Sequence, residues 1–136
     1  MCGVRPRRLE GKQYLEMRSN EQLGTEARAS PGGYHEFLRV PSMSGGVYVL
    51  APGAEDPQRP HTEDEIYFVV RGRARFRQGE EDRPVAPGDV LFVPAREEHR
   101  FHAIEEELVL LVVFAPAERP LGERGTPEIP SDTIVG

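Results

Sequence analysis

The sequence predicts an all-β protein, a sandwich or barrel of antiparallel strands, and three observations carry that prediction. Short apolar segments recur from Tyr34 onward: YHEFLRV, GGVYVLA, EIYFVVR, RARFRQ, DVLFVPA, HRFHAI and ELVLLVVFA. They are rich in β-branched and aromatic residues, which suit a pleated, half-buried surface. The separators APGAEDP, QGEEDRP, APGD, AREE and EEE are the Gly, Pro and acidic punctuation expected between strands of such a fold.

Taken in order, residues 1–33 form an N-terminal extension, irregular or helical. KQYLEMRSNEQL carries a partial apolar stripe of Tyr14, Leu15, Met17 and Leu23, which suggests a short helix. ASPGG then breaks the chain. Residues 34–115 hold the strands. The first strong one, EIYFVVR, stops at Gly72, and a short hairpin follows. Residues 108–114 are apolar at every position, so both faces of that strand must be covered, by the N-terminal segment or by a second copy of the chain. Residues 116–136, rich in Pro, Gly and charge, read as an extended arm.

Composition bounds the function. A chain of 136 residues and 15.2 kDa is one domain with room for a core. The net charge of −6 and the pI near 5.3 argue against a nucleic-acid partner, which would need a basic face. The run RPRR at Arg5–Arg8 reads as a solvated tail. One cysteine, Cys2, allows no internal disulfide, as a reducing compartment would favour. No apolar run suits a signal peptide or approaches the ~20 residues of a membrane span. The expectation is a soluble cytoplasmic protein with neither nucleic-acid nor membrane partner.

The chemistry concentrates in two places. In EIYFVV, alternation puts Glu65, Tyr67 and Val69 on one face, with His61 four residues earlier. In HRFHAI, His99, Phe101 and Ala103 share a face, and His102 takes the other. If both strands face one interior, His61, Glu65 and His99 converge there. Two imidazoles and one carboxylate suit Fe, Mn, Ni or Zn, with positions left for water or substrate. Glu65 in a buried phase would be costly without a partner. Arg73, Arg75 and Arg77 alternate on one solvated face, and His35 has no partner visible in the sequence.

The segment GAEDPQRPHTEDEIYFVVRG resembles the first motif of the cupin superfamily: Gly53, His61, Glu65 and Gly72 match, and Arg59 stands where the family has its first histidine. GDVLFVPAREEHRFHA resembles the second motif. There Gly88, Pro94 and His99 match, Arg96 replaces a glycine, and Ala103 replaces an asparagine. The resemblance implies a double-stranded β-helix, or jelly-roll barrel, and association as a homodimer. It also implies a divalent transition metal (Fe, Mn, Ni or Zn) on His61, Glu65 and His99. Arg59 cannot ligate a cation. It either pairs with Glu65 or turns outward, leaving Gln58 or Glu63 to supply an oxygen.

On this reading the protein is a mononuclear metal-binding cupin acting on a small organic molecule. Oxygenation is the first reaction class, with lyase and isomerase chemistry beside it. Tyr67 supplies a proton or hydrogen bond, Arg59 orients an anionic substrate, and Phe101 and Val69 line the pocket. The alternatives are a non-catalytic small-molecule-binding cupin in which Arg59 pairs with Glu65, and a structural protein with a closed interior.

Overall fold

The computed structural model describes residues 8–9, 12–13, 17–57 and 60–119. A two-stranded ribbon, β1 (Arg8–Leu9) and β2 (Lys12–Gln13), precedes a helix, α1 (Asn20–Arg28), and a short turn of 3-10 helix, Pro31–Gly33. Six strands follow: β3 (Tyr34–Val40), β4 (Met43–Leu50), β5 (Asp64–Gln78), β6 (Glu81–Val85), β7 (Val90–Val93) and β8 (His99–Ala115). Every pairing in this sheet is antiparallel. The order is β3-β4-β8-β5-β6, with β7 also on β5. The all-β reading holds.

The helix starts later than the apolar stripe suggested. Ser19 forms a capping box with Gln22: the Gln22 amide donates to Ser19 Oγ at 3.1 Å, and the Ser19 amide donates to Gln22 Oε1 at 3.1 Å. That reciprocal satisfaction of backbone donors sets the N-terminus. Met17 lies outside the helix and is exposed, while Leu23 is buried with Ala27. Tyr14 and Leu15 lie outside the described residues. Leu23 and Ala27 pack on Val47, Val49 and Val109, so the N-terminal segment covers the outer face of β8. One buried leucine of this kind is worth about 1.5–3 kcal/mol.

Two expected breaks are irregularities inside long strands. EIYFVVR and RARFRQ form one strand, β5, whose register with β8 shifts on either side of Gly72. Gly72 has φ 107°. A Cβ there would run into the Glu107 carbonyl and the Leu108 Cα, so only glycine lets the two strands approach. HRFHAI and ELVLLVVFA likewise join as β8 through Ala103 at φ 50°. EEE is therefore strand, because neighbouring arginines neutralise it: Arg73 on β5 pairs with Glu106, and Arg71 on β5 and Arg28 on α1 pair with Glu107. Part of QGEEDRP is also strand, β6, where Asp82 meets Arg75 and Arg77. The arginine row is a solvated outer face.

The interior is built by Tyr48, Leu50, Tyr67, Val69, Phe76, Phe101, Leu108, Leu110, Val112 and Phe114. On the opposite surface of β5 and β7, register pairs Ile66 with Phe92 and Phe68 with Val90, and all four are exposed. No helix among the described residues is long and apolar enough to cross a membrane.

Candidate metal centre

Strict alternation at the start of β5 turns Glu65, Tyr67 and Val69 inward, and His99 and Phe101 are inward at the start of β8. These two strand starts meet through β7, since Glu65 pairs with Val93 and only residues 94–98 separate β7 from β8. The loop bearing His61 is clamped to that turn by two bonds. The Arg96 amide donates to the His61 carbonyl at 2.6 Å, and the Ala95 amide donates to Asp64 Oδ1 at 2.9 Å. Arg96 has φ 71°. A non-glycine residue in that region costs roughly 1–2 kcal/mol, and here the conformation aims an N–H at the histidine loop.

His61, Glu65 and His99 are all buried, and one ligand atom from each lies within 4.8 Å of the other two. Glu65 Oε1 stands 3.4 Å from His61 Nδ1 and 3.2 Å from His99 Nε2. Neither Glu65 oxygen, nor His61 Nδ1, has a partner in hydrogen-bond geometry. Buried polar atoms without partners are costly, and these three face one point. For ligand bonds near 2.1 Å, adjacent ligands of an octahedral or tetrahedral ion sit ~3.0–3.4 Å apart. The donor set and its burial suit a divalent first-row cation, and the two Glu65–histidine spacings of 3.2 and 3.4 Å fall within that range.

His99 is oriented by its other nitrogen. Nδ1 lies 3.0 Å from the Glu97 carbonyl; an oxygen there can only accept, so Nδ1 carries a proton and Nε2 is the nitrogen turned inward, 3.2 Å from Glu65 Oε1. Tyr67 Oη lies 3.1 Å from that nitrogen. The Tyr67 ring is held edge-on by Phe101, with centroids 5.0 Å apart. His61 packs on Phe114 at 4.8 Å.

Burial alone would lower the His61 pKa, but Glu118 and Glu65 outweigh it and raise it to about 9. Burial pushes the Glu65 carboxyl up, yet His61 and His99 prevail and hold it below the usual range. The protein thus places positive charge between carboxylates where a cation would serve.

Val69 and Phe101 are buried in the core beside Tyr67. Phe101 also borders a cavity of about 330 Å³ with Gly53, Ala54, Asp56, Ala103 and Ile104. Glu63 is buried but outside the ligand group: its Oε2 accepts from Thr62 Oγ1 and from the Arg119 amide. Arg59 and Gln58 lie outside the described residues. His102 pairs outward with Asp82 at 3.0 Å, and His35 lies 2.8 Å from Glu26.

Two residues, Asp56 and Glu118, escaped the sequence reading, and Arg96 was read there only as a departure from a motif. Asp56, buried in a polar loop, accepts from Tyr48 Oη and from the Phe101 amide, pinning that loop to β8. Arg96 acts through its backbone. Glu118, beyond the last strand, reaches His61 Nε2 at 3.3 Å.

A family model described as the cupin domain matches residues 46–114. The chain belongs to the cupin family. The barrel of this cupin is the double-stranded β-helix found in solved members. An uncharacterized protein of Streptomyces coelicolor is 49% identical over 98 residues, covering 72% of this chain and 93% of that protein. The dimethylsulfoniopropionate lyase DddQ of Ruegeria pomeroyi is 30% identical over 74 residues, 54% of this chain and 37% of the lyase. Its crystal structure aligns with TM-score 0.53 at 28% identity, covering 56% of this chain and 39% of that one. This cupin spans little more than a third of the lyase's length. TT1209 from Thermus thermophilus aligns with TM-score 0.61 at 29% identity, covering 76% of this chain and 99% of that one.

Proposed function

We propose that this cupin is a mononuclear metal-dependent protein acting on a small organic molecule, with His61, Glu65 and His99 as protein ligands. The observation that carries the reading is the convergence of three buried ligand residues on one spot, with Glu65 Oε1 3.4 Å from His61 Nδ1 and 3.2 Å from His99 Nε2. A bound divalent ion (Fe, Mn, Ni or Zn) supplies Lewis acidity and open positions for a substrate oxygen.

Tyr67 is the residue that moves a proton. Its hydroxyl sits at the inner edge of the cluster, on His99, and its ring is immobilised by Phe76 and Phe101. A rigid phenol beside a Lewis-acid site suits proton abstraction or donation next to an activated oxygen. That favours elimination or isomerisation, and the likeness to a lyase supports the same class. Arg59, two residues before His61 in the sequence, receives an anionic group. The second reading is oxygenation, favoured by the three-residue ligand set, which leaves room for oxygen and substrate together. A second copy of the chain covers the exposed apolar patch of Ile66, Phe68, Val90 and Phe92.

Protein purified without chelator should carry close to one equivalent of a first-row metal by mass spectrometry, and Glu65→Ala should lose it. Turnover of dimethylsulfoniopropionate and related small carboxylates in sealed anaerobic tubes supports the lyase class; turnover only with oxygen supports the second reading. Folded protein that accepts none of Fe, Mn, Ni or Zn overturns the proposal and favours non-catalytic binding.

A further inference from the structure

Residues 116–119, which follow β8, stay on the barrel. They turn back across the rim above His61 and are bonded down on both sides of residue 118. The Ala117 amide donates to the Pro41 carbonyl at 3.3 Å, and the Glu118 amide donates to Ser44 Oγ at 2.8 Å. Arg39 Nη2 donates to the Glu118 carbonyl at 2.6 Å, and the Arg119 amide donates to Glu63 Oε2 at 3.0 Å. Ser44 and Glu63 are both buried, so the strap is anchored to fixed groups. Its effect is to lay the Glu118 side chain, itself only 14% exposed, against His61, with Oε2 3.3 Å from Nε2.

An imidazole has its two nitrogens on opposite flanks, and one alone can face a given ion. At His99 the division is plain: Nδ1 serves the Glu97 carbonyl and Nε2 faces Glu65. At His61 the roles are reversed, because Nδ1 is the nitrogen facing Glu65, at 3.4 Å. Nε2 faces the Glu118 carboxylate instead. We propose that Glu118 is a positioning residue of the metal centre, which accepts the Nε2–H of His61 and so selects Nδ1 as its ligating nitrogen. The inference rests on the metal-binding reading above. It makes the two histidines bind through opposite ring nitrogens, and it makes a segment outside the barrel part of the site. A carboxylate on the far nitrogen fixes ring and tautomer and raises the basicity of the near one; such partners are typically worth 10–100-fold in metal affinity.

The test uses full-length protein. Zinc affinity is measured by competition with a chromophoric chelator for wild type, Glu118→Ala, Glu118→Gln and Ser44→Ala. Nitrogen-15 histidine spectra of the zinc-loaded wild type report which ring nitrogen is bound. The expected result is a 10–100-fold loss for Glu118→Ala, substantial rescue by Glu118→Gln, whose amide oxygen still accepts, and a smaller loss for Ser44→Ala. The spectra should show His61 bound through Nδ1 with its Nε2 protonated. Unchanged affinity in Glu118→Ala, or His61 bound through Nε2, overturns the role of Glu118 and leaves the metal centre standing. A wild type that takes up no metal of any kind overturns both.

Discussion

Replacing Tyr67 by phenylalanine removes one hydroxyl and little else, because the ring contacts with Phe76 and Phe101 are unchanged in kind. Among the bonds lost is the 3.1 Å contact to His99 Nε2, between two groups closed to solvent. Where Nε2 is unprotonated in metal-free protein, it is then left buried without a donor, at a cost of about 1–3 kcal/mol. In metal-loaded protein the same lone pair is engaged by the ion, so the cost of the substitution falls below ~0.5 kcal/mol. Hydroxyl and metal compete for one nitrogen, and the thermodynamic cycle converts a difference of ~1–2 kcal/mol into metal binding tighter by about 5–30-fold in Tyr67→Phe. Urea unfolding with chelator and with saturating zinc, together with zinc competition titrations, measures all four corners. A variant equally destabilised in both states, or one that binds zinc more weakly, would show that His99 Nε2 is not a ligand. The same substitution should lower turnover about 100-fold or more if Tyr67 moves the proton.

Three further outcomes are expected. The His61 folded pKa of about 9 lies above its unfolded value of 6.5, so in metal-free protein its contribution to stability is full below 6.5 and disappears as pH rises through about 9. Histidine NMR should show that titration, and adding zinc at pH 7 should release close to one proton from this ring. Gly72→Ala forces a side chain into the β8 backbone at a positive φ and should cost about 2–4 kcal/mol in urea denaturation. Leu23→Ala should cost ~2–3 kcal/mol through the cavity left under α1 while changing zinc affinity less than twofold, because the helix lies on the opposite face from the ligands.

The inward phase of Glu65, Tyr67 and Val69, and of His99 and Phe101, was legible because a strand has a period of two and a buried face admits one register. The covering of residues 108–114 was legible as a need; that α1 meets it depends on Ser19 starting the helix in time to turn Leu23 and Ala27 inward. Gly72 and EEE misled for a shared reason. A glycine or an acidic run is the same local signal whether it ends a strand or bends one. What decides is the opposing backbone in one case and neighbouring arginines in the other. Arg96 shows that a positive φ can be imposed by a loop clamp without glycine. Glu118 had no signal, since a strap built from side-chain anchors on distant residues has no periodicity to read.

The most direct measurement is anomalous scattering at first-row metal edges from crystals of protein purified without chelator. A peak within ~2.0–2.3 Å of one nitrogen from His61, one from His99 and an oxygen of Glu65 is the predicted result. A well-ordered structure with no peak among these residues, or with the His99 ring turned away from Glu65, would contradict the account.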